Sequence, residues 1–340
     1  MSPLPKPVEE AGLAGLLTKR VPSVIGPDDF FNGLEQIRVR FARLVGVTDG
    51  ARIAVVPSAS YGVATAAQNL PVSGSQNIVV TAAQFPSNIY AWRRVAAESE
   101  AELRTIGPPV GELRRGAIWN ERLLEAIDES TAVVALGQVH WTDGTFFDLD
   151  AVGARAREVG AALVVDGTQS VGAFPFDIAE LQPDALICAG YKWLMGPYSL
   201  GVAYFGPRFE RGVPLEETWI GRVGSDDFPR LVDYQDVYRP GAARFEAGET
   251  SNFILVPMLN AALELVGGWG VEAIQAYCRG LTDTLVAEAG ALGFGAEEGR
   301  WRAGHMVGLR MPQGVLPQEL QARLAANSAL AQSVGSFVTP

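Results

Sequence analysis

The sequence predicts an α/β protein: a mainly parallel, seven-stranded sheet with helices on both faces, followed by a smaller C-terminal α+β domain. Three observations carry this expectation. Short apolar runs alternate with segments of helical period between positions 53 and 205. The polar residues able to do chemistry fall directly after those runs, where open α/β sheets bind their ligands. After about Gly206 the texture becomes loop-rich, and then gives way to two long helical segments.

Ahead of the sheet, Phe31, Leu34, Ile37, Phe41 and Leu44 recur at helical spacing, so FFNGLEQIRVRFARLVG is an amphipathic helix. Strands are expected at Ile53–Val56, Ile78–Thr81, Glu102–Ile106, Ala132–Leu136, Ala162–Val165, Ala185–Cys188 and Val202–Phe205. Such near-continuous apolar runs suit a sheet buried on both faces. Helices between them are expected at Tyr61–Leu70, Ile89–Glu98, Glu121–Asp128 and Leu149–Val159. Beyond about Thr250, Asn252–Val266 and Val271–Ala291 read as long helices, His305–Met311 as a strand, Gln318–Ala326 as a helix and Ser333–Thr339 as a last strand. This places a large domain at 15–250 and a small one at 251–340, with residues 1–14 packing near the latter.

Composition narrows the function classes. Of 340 residues, 48% are hydrophobic and 19% charged, which is a globular balance. A net charge of −11 without any lysine- or arginine-rich run argues against nucleic acid as a partner. No apolar run reaches membrane-spanning length, and the N-terminus lacks the apolar core of a signal peptide, so a cytoplasmic location is expected. Two cysteines and two histidines make a disulfide framework or a metal centre improbable.

The stretch LICAGYKWLMGP, residues 186–197, carries a single charge, Lys192. A lysine there either covers apolar neighbours with its stem or is kept in a dry pocket for covalent chemistry. In VVDGTQS, Asp166 closes an apolar strand; alone, an Asp-Gly pair reads as a turn. Lys192 follows one strand later, so both side chains reach the same rim of the sheet. Ser58-Ala59-Ser60 opens a helix, whose first N–H groups suit a phosphate. The chain has neither G-x-G-x-x-G after its first strand nor a Walker-type loop. One cofactor needs an amine, a carboxylate, a phosphate cradle and a flat apolar wall together: pyridoxal 5′-phosphate. Its aldehyde forms a Schiff base with a lysine, and a carboxylate keeps its pyridinium protonated.

Through VVDGTQSVG, GYKWLMGP and RFEAGETSNF the chain resembles the class V aminotransferases. These are fold-type I pyridoxal-phosphate enzymes that include cysteine desulfurases, kynureninases and isopenicillin-N-epimerase-like proteins, and the resemblance runs from about Pro3 to the end. It implies Lys192 as the Schiff-base lysine and Asp166 as the pyridinium partner. Gln169 and Gln138 are implied as polar contacts of the cofactor, and Phe85 as the stacking ring. Ala59 and Ser60 match the phosphate turn, Tyr191 a phosphate donor, and Trp219 an aromatic reaching the phosphate region. Thr250 is implied to act across a homodimer, although Glu249 stands directly after the glycine where relatives often have threonine. His140 and Trp141 fall on the substrate side, with His140 a candidate contact.

The departures from the family pattern matter as much. Neither Cys188 nor Cys278 matches the desulfurase nucleophile, so desulfurase activity is disfavoured. Phe337 stands where relatives often place a carboxylate-gripping arginine; Arg310 or Arg244 are the candidates to substitute, and the chain is short at both ends beside its relatives. The resulting expectation is an aminotransferase-like enzyme acting on a small amino acid or amine. An epimerase or lyase, and a scaffold protein that has lost catalysis, are the alternatives.

Overall fold

The computed structural model describes residues 1–109, 111, 114–312 and 317–326. The chain enters through helices α1 (Lys6–Thr18) and α2 (Asn32–Leu44). Alternating elements follow: β1 (Ile53–Val56), α3 (Ala59–Asn69), β2 (Asn77–Thr81), α4 (Pro86–Ser99), β3 (Glu102–Ile106), α5 (Arg115–Glu125), β4 (Thr131–Gly137), α6 (Leu149–Glu158), β5 (Ala162–Asp166), α7 (Ile178–Leu181), β6 (Ala185–Ala189) and β7 (Gly201–Phe205). Three helices come after them: α8 (Leu255–Trp269), α9 (Val271–Ala291) and α10 (Pro317–Ala326).

The strands form one sheet in the order β1-β7-β6-β5-β4-β2-β3. Strands β3, β2, β4, β5 and β6 pair in parallel, while β7 runs antiparallel to both β6 and β1. Side chains alternate between the faces, as the pleat requires. Val55, Val134, Leu136 and Val165 join Phe41, Trp119 and Leu259 in the core on one face. Val56, Val80, Ala135 and Val164 join Val63 and Trp92 on the other. All these side chains are buried, so apart from the part-exposed edge strand β3 both faces of the sheet are covered, and the strand ends are where a ligand can be met. Among the described residues no helix is long and apolar enough to cross a membrane.

Helix α1 lies along α8, and small residues allow the contact: a Cβ on Gly15 would stand 2.1 Å from the Phe253 carbonyl oxygen. Under the sheet, Arg38 of α2 pairs with Glu246, Nη2 to Oε1 at 2.7 Å, and both are almost wholly buried. The same Glu246 oxygen accepts the Val55 N–H at 2.9 Å, tying the 246 segment to β1.

Three local expectations change. The strand expected over His305–Met311 does not form; the segment makes one isolated bridge, Gly295 to Arg310. Glycines interrupt it, and its polar groups are claimed elsewhere: Gly308 N–H donates to Asp143 O at 2.8 Å, and His305 turns toward Gln169. The described residues after 251 are therefore helical with no strand, and the strand expected at Ser333–Thr339 lies outside the described residues. Helix α5 begins earlier than Glu121, because Glu297, remote in sequence, accepts the Gly116 N–H at 3.0 Å. Helix α8 begins later than Asn252, whose side chain instead caps the Ile254 and Leu255 N–H groups.

Candidate active site

The functional side chains gather at the C-terminal ends of β1, β4, β5 and β6. Strand β5 ends at Asp166 and passes into a tight turn, Gly167–Gln169. The Thr168 N–H donates to Asp166 Oδ1 at 3.0 Å, and Thr168 Oγ1 accepts the Ala189 N–H at 3.1 Å, stitching the turn to β6. One edge of Asp166 opens to the cavity, yet its surroundings are dry enough to push its pKa up. The Thr168 hydrogen bonds and the Lys192 charge pull the other way.

Lys192 sits on the loop leaving β6. That loop is held by Met195 N–H to Lys192 O at 2.9 Å and Gly196 N–H to Gly190 O at 2.8 Å. Gly172 makes room for it: φ is +97°, and a Cβ there would lie 2.5 Å from the Trp193 carbonyl oxygen. Lys192 Nζ rests 5.1 Å from the centre of the Phe85 ring. Burial lowers its pKa, and Asp166 partly restores it. The neutral amine is therefore more accessible here than on an ordinary surface lysine.

These groups line one cavity of about 320 Å³, and among the described residues Asp166 and Lys192 are the only charged side chains in its wall. Of the residues the sequence singled out, Ala59, Ser60, Phe85, His140, Trp141, Gln169 and Tyr191 also line it. Ser58 caps α3, its Oγ accepting the Tyr61 N–H at 3.1 Å and lying 2.9 Å from Ser60 Oγ. This leaves the Ala59 and Ser60 N–H groups, at the positive end of the helix dipole, facing a ligand. Trp141 Nε1 donates to Ala83 O at 2.7 Å, and its ring meets Phe85 edge-on at 5.4 Å, closing one side.

His140 belongs to the wall but is fully engaged. Its Nε2 lies 3.0 Å from Ala82 O, which can only accept, so Nε2 carries the proton. Nδ1, 2.7 Å from Thr142 Oγ1, is then the acceptor. Burial lowers its pKa, so the ring is neutral and has no nitrogen left for proton transfer.

Other expected residues stand elsewhere. Gln138 faces away: Gly137 and Val139 line the cavity, and strand-like alternation sends Gln138 to a separate cavity with Phe146 and Phe174. Trp219 is 40% exposed in an aromatic group with Phe30 and Phe228, outside this cavity. Thr250 is buried, and its hydroxyl donates to Val55 O at 3.4 Å. Arg310 is turned to Ala296 O at 2.9 Å and Glu297 at 3.6 Å, and Arg244 to Gly241 O at 3.1 Å, so neither lines the site. Phe337 lies outside the described residues. Sequence reading missed Thr168, Ser87, Tyr198 and Ser199 in the wall. Thr168 had a signal, since it sits inside VVDGTQS; the others had none.

His305 supports the site from behind. Its Nε2 donates to the Gln169 carbonyl at 2.6 Å, and Nδ1 accepts from the Gln275 amide at 3.1 Å. Burial lowers its pKa from 6.5 to about 4. The unfolded chain therefore takes up this proton first as pH falls. The stability tied to neutral His305 is complete above about pH 6.5 and drains between there and pH 4, by up to about 3 kcal/mol. His305→Gln is expected to flatten the fall in unfolding midpoint across that window; parallel pH profiles for the two proteins would contradict this.

A lysine whose pKa burial lowers, a buried carboxylate, a helix N-terminus with serines and a flat ring wall fit pyridoxal 5′-phosphate. The chain belongs to the aminotransferase class-V family, whose sequence model matches residues 27–335. It is 32% identical over 210 residues to a cysteine desulfurase of Synechococcus elongatus, covering 60% of this chain and 32% of that protein. It is 30% identical over 268 residues to an uncharacterised aminotransferase of Bacillus subtilis, covering 78% and 65%. The chain thus spans about a third of the first curated relative and under two thirds of the second. In fold it is similar to the apo cysteine desulfurase of Thermococcus onnurineus, with TM-score 0.78, 23% identity, and coverage of 97% and 81%. It is likewise similar to a cystine C–S lyase in complex with its product cysteine persulfide, with TM-score 0.81, 19% identity, and coverage of 96% and 86%. The architecture is that of the fold-type I pyridoxal-phosphate enzymes.

Proposed function

We propose that this chain is a pyridoxal 5′-phosphate enzyme acting at the amino-bearing carbon of an amino acid or amine, with aminotransferase-like chemistry. One observation carries the reading: among the described residues Lys192 and Asp166 are the only charged side chains in a cavity that also holds the Phe85 ring and the α3 N-terminus. When bound, the cofactor supplies an aldehyde that condenses with amines and a cationic ring that draws electrons from the adjoining carbon.

The residues divide the remaining work. Asp166 would hold the proton on the ring nitrogen, where its carboxylate sits in a dry setting that pushes its pKa up. The Ala59 and Ser60 N–H groups, the Ser60 hydroxyl and Tyr191 grip the phosphate. Phe85 and Trp141 would offer apolar ring surface to the cofactor and exclude water. Lys192 would hold the aldehyde and supply an amine, its pKa lowered by burial, to carry the proton at the substrate's amino-bearing carbon.

Several relatives are named cysteine desulfurases, but the chain's two thiols argue against a sulfur relay here. Cys188 is wholly buried in β6, where burial drives its pKa far up. Cys278 lies on α9 and is also shifted up by burial. Neither lines the cavity, and an attacking thiol must be an accessible thiolate. A homodimer is part of the proposal: Thr250 lies outside its own chain's cavity, and the family resemblance gives it a role across an interface.

Adding single amino donors to cofactor-loaded protein tests the reading. Transamination predicts loss of the visible cofactor band with one equivalent of keto product per site. Continuous release of ammonia without an acceptor would make the enzyme a lyase. A band that no amine disturbs would leave a non-catalytic scaffold.

A further inference from the structure

A second, apolar chamber of about 920 Å³ opens from the cofactor cavity and shares Phe85, Trp141, Gln169, Tyr191 and Lys192 with it. Its remaining wall is contributed by parts of the chain far apart in sequence. Trp193 follows the lysine, Trp269 ends α8, and Ile274 and Tyr277 lie on α9. Met306 and the first three residues complete it. The N-terminal segment is fixed in place, because the Ser2 N–H and hydroxyl both donate to the Tyr191 carbonyl oxygen, at 3.2 and 3.3 Å. Trp193 is fixed too, meeting the His305 ring at 4.6 Å while His305 is held by Gln169 and Gln275. Among the described residues Lys192 is the only charged side chain in this wall.

We propose that the chamber selects the substrate: an amine or amino acid whose amino-bearing carbon carries a bulky apolar group, aryl or long alkyl. This rests on the reading of Lys192 as the residue that meets the substrate amine. An amine placed at Lys192 points its remaining substituent either at the cofactor wall or into the chamber, and only the chamber has room. Its volume is that of a pocket for a drug-sized ligand, and aromatic faces are its main contact surface. A second carboxylate on the substrate would lose its hydration there, with Lys192 the one cationic side chain among the described residues of the wall. A small aliphatic side chain would leave most of the aromatic surface uncovered. Preference for bulky apolar groups follows from both.

Two measurements test this. In cofactor-loaded protein, kcat/KM for 2-phenylethylamine and phenylalanine is expected to exceed that for alanine and glutamate by at least ~10-fold, given what one buried methylene contributes to discrimination. Tyr277→Ala and Trp193→Ala are expected to shrink that ratio. Equal or reversed preference overturns the proposal while leaving the cofactor reading intact. Separately, 3-phenylpropanol, which has no amine and needs no cofactor chemistry, is expected to quench the tryptophan fluorescence of the loaded protein saturably, and less so in Trp193→Ala. No quenching in protein that light scattering shows to be dimeric would make the chamber an interface between two copies and overturn the proposal. Quenching without any cofactor band would uphold the apolar chamber and sink the cofactor reading instead.

Discussion

Lys192→Ala is expected to abolish covalent attachment of the cofactor and to lower turnover by about 10²–10⁴-fold, the range for removing a positioned acid–base group. The loss is expected to be this complete because no other amine can take over. The whole chain contains three lysines, and Lys6 and Lys19 are exposed at the two ends of α1. Lys192→Arg separates charge from chemistry. It keeps a cation near Asp166, but a guanidinium stays protonated and is too poor a nucleophile to condense with the aldehyde. The arginine variant is therefore expected to be as inactive as the alanine one. Single-turnover kinetics with the best amino donor checks both; activity retained within tenfold in either variant would remove Lys192 from its role.

Glu246→Ala is expected to destabilise the fold by about 3–5 kcal/mol, because it strands a buried guanidinium. Arg38 is 4% exposed and Glu246 2%. The glutamate takes two hydrogen bonds from Arg38, at 2.7 and 3.2 Å, and one from the Val55 N–H. Removing it leaves three donors short of an acceptor beneath β1. Glu35 still reaches Arg38 at 3.0 Å, but Glu35 is 61% exposed, so its help is screened and the loss sits toward the lower end of the range. Replacing both partners together, Arg38→Met with Glu246→Leu, is expected to cost less than the single change, since no charge is left buried. Denaturant midpoints of the three proteins decide it. A single variant that unfolds within about 1 kcal/mol of the parent would show the pair to be dispensable.

The sheet was legible because its strands are buried on both faces. Most are runs of apolar residues, and Ile53–Val56 falls where its run begins and ends; the exception is the edge strand Glu102–Ile106, which carries Glu102, Arg104 and Thr105 and is part-exposed. Lys192 and Asp166 were legible for a related reason: each is the first charge after a strand wholly given to the core. What escaped was whatever depends on a partner remote in sequence. Helix α5 starts where Glu297 meets the Gly116 N–H, 181 residues away. Gln138 follows directly after β4, and alternation turns it to the opposite face from Gly137 and Val139. Thr250 looked like a free hydroxyl in FEAGETSNF, and the structure commits it to Val55 O. The apolar chamber is the extreme case. Met1, Trp193, Trp269 and Tyr277 share no motif, and only the packing of α1 against α8, and of α9 beside them, brings them to one wall.

Borohydride reduction of cofactor-loaded protein, followed by proteolysis and mass spectrometry, addresses the central assignment directly. With only three lysines in the chain, the outcome is a choice among Lys6, Lys19 and Lys192. A reduced pyridoxyl-phosphate adduct on the peptide bearing Lys192, at one per chain, is the expected result. An adduct on Lys6 or Lys19, or cofactor that washes away unreduced while every lysine stays unmodified, would contradict it.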